Sequence, residues 1–276
     1  MGTLHLVATP IGNLEDVTLR SLRVLREADL VCAEDTRRTR ILLGRYDIEA
    51  RLLSVHAHNE ASRVARVGEV LEAGGSVALV SDAGTPLLCD PGQKIVEAAI
   101  ESGHRVEASP GPSAVLTALA LSGLAFPPFC FLGYLPRRVS ARKKLFETYR
   151  DRPETLVFFE SPHRVGRSLA ELAETLGARR ACVARELTKL HEEVVRDDLV
   201  SLAERFSGVQ KGEFTLVVAG APESAEAVAW PEVEEMIVSR LAAGARPREI
   251  AAELASITGQ PRREIYARAV ALRSSA

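Results

Sequence analysis

The sequence predicts an α/β protein of two α/β domains followed by a small helical unit resembling a helix-turn-helix. Short β-branched apolar runs alternate with helical patterns through the first 120 residues, as in a parallel sheet with covering helices. A second group of strand-like runs follows and includes a hairpin, which makes that sheet mixed. After residue 229 the strand pattern stops and three short helical patterns take over.

In the first group the expected strands are Leu4 to Ala8, Asp29 to Ala33, Val77 to Ser81 and Arg105 to Ser109. Helical periodicity covers Val17 to Glu27, Ala61 to Ala73 and Gln93 to Ser102. In such sheets ligands sit outside the carboxyl ends of the strands. Three loops fall there: Thr9 to Asp16, Ser81 to Gly92, and Ser109 to Ala114. The second is unusual. A buried strand runs into Ser-Asp-Ala-Gly-Thr-Pro and closes on Asp90-Pro91-Gly92, so the loop is stiff, poor in bulky groups and carries two carboxylates. Ser113 is expected to cap a helix that follows the third loop. Thr9 to Asp16 matches neither the dinucleotide nor the P-loop fingerprint, and is either a ligand-binding turn or a plain β–α turn. Together the loops suit a ligand that is part aromatic and part zwitterionic, such as an adenosyl amino acid.

In the second group the expected strands are Phe129 to Gly133, Thr155 to Glu160, Ala181 to Glu186, Val194 to Val200 and Phe214 to Gly220. Helices Ala141 to Tyr149 and Val165 to Leu176 cover them. The domain break falls between Leu121 and Pro128, giving domains 1–124 and 125–222. An Ala/Glu-rich linker, Ala219 to Ala229, leads to the helical unit 230–276, with helices Glu232 to Ala243, Arg248 to Ile257 and Pro261 to Leu272. Arg246 to Arg273 holds six Arg against three Glu, with helix-turn-helix spacing.

The net charge of −2 gives no global field for nucleic acid, so any basic grip is local. No run of 18 apolar residues suggests a membrane span, and the first residues lack a basic leader, so the expected location is cytoplasmic. The four cysteines are scattered without a CxxC pair and are expected as buried, reduced thiols.

VATPIGNLED, AEDTRRT, VSDAGTP with the later DPG, SPGPSA, FLGYLPR, FFESPHR and ACVARELTKLHEE occur in that order. In this combination the chain resembles the tetrapyrrole-methylase superfamily of S-adenosylmethionine (SAM) methyltransferases, and within it the branch that methylates a cytidine ribose 2′-oxygen in the decoding centre of 16S rRNA. The resemblance implies SAM in a cleft between the two α/β domains, no metal, a 16S rRNA substrate within the assembled 30S subunit, and a homodimer. Carried onto this sequence, it implies cofactor contacts from Pro10, Asp82, Ala83, Gly84, Thr85, Leu88, Ser113, Ala114 and Phe159, and from Glu213, Phe214 and Thr215.

Methyl transfer from a sulfonium needs positioning and a deprotonated oxygen rather than a metal. Groups expected near the cleft are Asp16, Glu34, Asp35, Arg37, Glu160, His163, Arg164, Glu186 and Lys189, with Asp35, Arg37 and Glu160 ranked first as catalytic. AEDTRRT also reads as a solvated helix start, and FFESPHR as an ordinary capped turn. Pro136 to Arg152 carries seven basic and two acidic residues. It is expected to grip RNA through Arg137, Arg138, Arg142, Lys143 and Lys144, or to be a solvated helix face. Arg164 and Lys189 are added to that grip, as are Arg262 and Arg263 of the helical unit, which could instead be a packing appendage. A tetrapyrrole methylase on the same fold, and a non-enzymatic helix-turn-helix regulator, are the competing readings.

Overall fold

A computed structural model describes residues 1–124, 128–222 and 228–274. The centre of the expected break at Leu121 to Pro128, and of the linker Ala219 to Ala229, lies outside the described residues. By its contacts the chain forms two units, residues 1–220 and 221–276.

The first unit holds two five-stranded sheets. The first is parallel, in the order β3-β2-β4-β1-β5. Its strands are β1 (Thr3–Val7), β2 (Leu30–Ala33), β3 (Leu52–Ser54), β4 (Ser76–Val80) and β5 (Arg105–Ser109). Helices α1 (Leu19–Glu27), α2 (Thr36–Arg45), α3 (Glu60–Glu72) and α4 (Gln93–Glu101) make the crossovers. Leu4, Cys32, Val77 and Leu79 pack toward α3 and α4, while Val7, Val31, Ala78 and Val80 pack toward α1 and α2. That two-sided burial is why these strands read as continuous apolar runs.

Helix α5 (Ala114–Ser122) follows β5 and is capped by Ser113, whose hydroxyl accepts the Leu116 N–H at 3.4 Å. Its Val115, Ala118 and Leu119 are buried against Val157, Cys182 and Val217 of the second sheet. That sheet runs β6-β7-β10-β8-β9, with β6 (Phe129–Tyr134) parallel to β7 (Thr155–Glu160). β8 (Arg180–Arg185), β9 (Glu193–Asp198) and β10 (Phe214–Val218) pair antiparallel, so the sheet is mixed and β8–β9 is a hairpin. Helices α6 (Val139–Thr148), α7 (Val165–Leu176) and α8 (Leu199–Arg205) cover its other face through Phe146, Leu169, Leu172 and Leu202.

Three elements differ from the sequence reading. Strand β3, at the sheet edge, has only three residues, too few for alternation to show. Helix α2 follows directly from the Asp35 cap. The strand expected through Val200 stops at Asp198, because the Asp198 carboxylate accepts the N–H groups of Val200 and Ser201 and starts α8.

The second unit is a three-helix assembly of α9 (Trp230–Ala242), α10 (Pro247–Thr258) and α11 (Arg262–Ser274) around Val233, Ile237, Ile250, Leu254 and Ile265. Arg268 lies over the Trp230 ring at 3.8 Å and pairs with Glu234. Among the described residues no helix is long and apolar enough to cross a membrane.

Candidate functional site

The three loops singled out in the sequence leave the carboxyl ends of adjacent strands, β4, β1 and β5. Thr9 and Gly84 exchange backbone hydrogen bonds of 2.9 and 3.0 Å, which join the first two loops, and the Ala8 N–H donates to Ser109 O, which joins the third. The Ser81 hydroxyl donates to Gly84 O at 2.9 Å and braces the turn. Gly84 sits at φ 82°, where a side chain would be strained. Leu87 and Cys89 adopt φ 72° and 73° without that freedom, at a cost of about 1–3 kcal/mol each. The loop is pinned at its far end by Glu60. One of its oxygens accepts the N–H groups of Gly92 and Lys94 at 3.1 and 2.7 Å, at the positive end of α4. Small residues, a strained path and anchors at both ends make a fixed wall of backbone.

That wall forms one side of a cleft of about 410 Å³, within the usual range for small-molecule sites. Asp82, Ala83, Gly84, Thr85, Leu88, Ser113 and Ala114 line it from the first sheet. Phe159, Glu213, Phe214 and Thr215 line it from the second. Pro10 is buried beneath it, and its neighbour Ile11 makes the contact instead. Ile11, Val115, Leu187 and Phe214 give an apolar floor, while Asp82, Asp90 and Glu34 put carboxyl groups on the wall. A ligand with a flat apolar part and a cationic part fits this division.

The carboxyl groups in and beside the cleft are not alike. Burial, helped by the Glu34 and Asp82 charges, raises Asp90 to about 7. Glu34 is raised too, by burial and then by Asp82. Asp82 accepts the Asp35 N–H at 2.9 Å and lies 3.7 Å from Arg38. Glu213 pairs with Lys189 at 3.1 Å. Glu160 has a fully buried side chain (0 % exposed) with both oxygens engaged. It accepts the Ser161 N–H at 2.7 Å and the Ser168 hydroxyl at 2.6 Å, and pairs with Arg164 at 2.5 Å. Among the described residues the Asp90 carboxyl has no such partner.

Several expected site residues are placed differently. Asp35 and Arg37 lie outside the cleft wall. Asp35 caps α2 and grips the Arg37 guanidinium, which holds its carboxyl down at about 2, and Arg37 points outward at 84 % exposure. Glu160 lines the cleft but is already satisfied by three donors. Arg142 is buried: it makes a two-pronged pair with Glu171 at 2.7 and 2.8 Å and donates to the carbonyls of Pro136 and Arg137. It therefore cannot reach RNA. Arg164 is held by Glu160, the Ser161 hydroxyl and the Leu135 carbonyl. Lys189 is half-buried, and although burial disfavours its charge, Glu186 and Glu213 raise its pKa. Lys143 pairs with Glu174 on the surface. Arg137, Arg138 and Lys144 are exposed. In the helical unit Arg262 and Arg263 line a shallow concavity with Arg248 and Tyr266, and among the described residues these three arginines make no ion pair.

The sequence reading missed Ile11, Arg38, Cys89, Asp90, Val115, Tyr134, Ser161, Pro162, Ala184, Leu187 and Gly212 as cleft residues. Asp90 carried a signal, since it stands in the rigid loop. Tyr134 and Leu187 stand in the quoted motifs FLGYLPR and ACVARELTKLHEE, but only packing shows that they reach the loops. Cys89 is exposed, and Cys130 partly so, against the expectation of buried thiols.

Comparison with known proteins adds to this geometry. A family profile described as Tetrapyrrole (Corrin/Porphyrin) Methylases matches residues 3–203, and one described as RsmI C-terminal HTH domain matches residues 227–273. A protein of Micromonospora olivasterospora named Ribosomal RNA small subunit methyltransferase I is 45% identical over 272 residues, covering 96% of this chain and 85% of the relative. Its namesake in Xylella fastidiosa (strain Temecula1 / ATCC 700964) is 44% identical over 272 residues, 96% of this chain and 98% of the relative. Among solved structures, the methyltransferase CobJ superposes with a TM-score of 0.61 at 19% identity, covering 80% of this chain and 95% of that one. A uroporphyrin-III-C-methyltransferase from Thermus thermophilus gives 0.55 at 22%, with 79% and 94% covered. At these identities the two structures speak for the fold alone.

Proposed function

The chain belongs to the tetrapyrrole methylase family, and from that premise we propose that it is a SAM-dependent methyltransferase of small-subunit ribosomal RNA that methylates the ribose 2′-oxygen of a cytidine in the decoding centre. Relatives named for small-subunit rRNA methylation, similar over nearly the whole chain, support the substrate class. The observation that carries the RNA reading over a tetrapyrrole is the separation of charge. The cleft wall holds carboxyl groups, which repel a polycarboxylate porphyrin. Arginines without an ion pair among the described residues line a concavity of the helical unit instead. RNA meets both conditions, with a neutral nucleoside inside the cleft and phosphates on exposed basic surfaces.

Bound SAM supplies a methyl carbon on a sulfonium that leaves with its electron pair on sulfur. Loop 82–85 with Ser113 and Ala114 would hold its amino-acid part by backbone, and Ile11, Leu187 and Phe214 would hold its adenine. The ribose hydroxyl must lose a proton as its oxygen takes the methyl. Asp90 is the carboxyl suited to accept that proton, because it lines the cleft, has no competing partner among the described residues and titrates near 7. Glu160 and Arg164 instead brace the end of β7, the strand that carries Phe159. Arg137, Arg138 and Lys144, with Arg248, Arg262 and Arg263, grip phosphates.

In this reading the enzyme works in the cytoplasm, as a homodimer, on the assembled 30S subunit. Sedimentation of the purified chain tests the dimer, and naked 16S rRNA against 30S subunits as acceptor tests the last.

The deciding experiment transfers labelled methyl from SAM to small subunits from cells lacking this protein, then treats the RNA with alkali. A ribose methyl removes the nucleophile that alkali cleavage needs, so one linkage resists. Label with one resistant linkage is expected. Label without resistance moves the chemistry to a base, and no label on RNA removes the RNA reading.

A further inference from the structure

Strand β6 is irregular where it reaches the cleft. Its pairing with β7 slips between Phe131 and Tyr134, so Phe131 stands opposite Val157 while Tyr134 stands opposite Phe159. Three steps along β6 are taken up against two along β7. Gly133 sits inside the slip at φ 64°, a conformation glycine accepts readily. A Cβ there would also come 3.2 Å from the Cys89 sulfur of the strained loop. Bulges of this kind re-aim a side chain, and they concentrate beside active sites.

The re-aimed residue is Tyr134. Its ring packs on Phe159 at 5.5 Å, and Phe159 packs edge-on against Phe131 at 4.9 Å. One side of the Tyr134 ring is therefore backed by a fixed aromatic stack. The residue is nevertheless 58 % exposed, and it lines the cleft. Leu88, on the loop that abuts Gly133, lines the same cleft and is 40 % exposed. A tyrosine in a core buries its ring, whereas Tyr134 and Leu88 both leave apolar surface open to the cleft. Here backbone strain at Leu87 and Cys89 holds Leu88 in position. Asp90 follows two residues later and lies within electrostatic reach of the Tyr134 phenol. Arg137 and Arg138, exposed three and four residues after Tyr134, put positive charge on the segment that leaves β6.

We propose that Tyr134 and Leu88 form a slot for the target nucleobase, taken out of its stack, so that its ribose faces Asp90. The inference rests on the RNA reading above, moves Leu88 out of the cofactor contacts that the resemblance implies, and names the part of the cleft that holds the substrate. RNA-modifying sites and single-stranded RNA sites use aromatic faces in this way, because every base has a π-face and an unstacked base needs a new partner. Such a slot holds a flat, uncharged ring and leaves the phosphates to Arg137 and Arg138. It adds nothing for a tetrapyrrole, whose carboxylates would meet Asp90, Glu34 and Asp82.

The test compares Tyr134→Ala, Tyr134→Phe and Leu88→Ala with the parent protein on small subunits lacking the methyl group. It measures kcat/KM for the subunit and, separately, the Kd for S-adenosylhomocysteine. Stacking of one base is worth about 1–3 kcal/mol, so Tyr134→Ala should lower kcat/KM by roughly 5- to 150-fold. Tyr134→Phe keeps the ring face and should lose less than about threefold. Leu88→Ala should fall between them, and all three should bind S-adenosylhomocysteine within about twofold of the parent. Equal activity of Tyr134→Ala and the parent overturns the slot. So does a matching loss in Tyr134→Phe, which would assign the role to the hydroxyl, or a parallel loss of S-adenosylhomocysteine binding, which would make Tyr134 part of the cofactor wall. A parent protein that transfers no methyl to RNA would fail the RNA reading itself, a result separate from any difference among the variants.

Discussion

The two sheets each bring a carboxyl group to the cleft, one at the end of a strand and one in the loop beyond a strand. At the end of β7, Glu160 is completely buried and accepts from Ser161, Ser168 and Arg164. After β4, Asp90 is only partly buried, has no partner among the described residues, and is raised to about 7 by burial and by its acidic neighbours. The first carboxyl group is filled with donors; burial and acidic neighbours make the charge of the second costly. A carboxylate whose lone pairs are already filled holds structure in place, whereas one kept short of donors is ready to take a proton.

Substitutions on the two sides should part company. The largest effect is expected from Asp90→Asn, which should lower kcat by about 10²- to 10⁴-fold while binding S-adenosylhomocysteine normally and folding normally. In the parent enzyme the rate should rise about tenfold per pH unit below 7 and level off above it, since only the ionised Asp90 accepts a proton, and burial, helped by Glu34 and Asp82, holds it protonated until near 7. A rate that is flat from about pH 5.5 to 8, or a variant that keeps its kcat, removes Asp90 as the base. On the other side, Glu160→Ala leaves Arg164 and Ser168 without their acceptor and should destabilise the first unit by about 3 kcal/mol. The melting temperature should then fall by roughly 6–12 °C, with Glu160→Gln recovering part of that loss. If Glu160→Ala melts like the parent and loses only kcat, the contrast between the two carboxyl groups is reversed.

The same contrast separates the arginines, with smaller effects. Arg142 uses its donors inside the protein, whereas Arg248 and Arg262 carry no ion pair among the described residues. Replacing Arg248 or Arg262 with Gln should weaken subunit binding a few-fold. Each should also reduce the slope of log affinity against log salt by about 0.7, the loss of one phosphate contact on single-stranded RNA. Arg142→Gln should leave that slope unchanged and lower the melting temperature instead.

The fold was legible because its signals are local. Runs such as Val77 to Val80 are apolar on both faces, and Ser113, Gly244, Pro247 and Gly259 mark helix ends in the sequence itself. The cofactor side of the cleft was legible for a related reason: a loop that presents backbone must be written in small and stiff residues, and Ala83, Gly84, Thr85 and Pro86 are those. Charged residues were not legible in this way. Arg142 and Arg138 look alike in the chain, and only the arrival of Glu171 from α7 takes one of them inside.

By itself, then, the sequence determined most of the elements, though not β3, α2 or the start of α8, together with the two sheets, the helical unit and the loops that form one wall, since these follow from periodicity, capping and backbone freedom within a few residues. The tertiary structure alone decided which carboxyl group is left unsatisfied, which arginines stay free of ion pairs among the described residues, and that a slipped strand turns Tyr134 toward the cleft. Those properties depend on what distant segments bring within a few ångströms, because hydrogen bonding, desolvation and Coulomb interaction act through space and leave no mark on neighbouring residues in the chain.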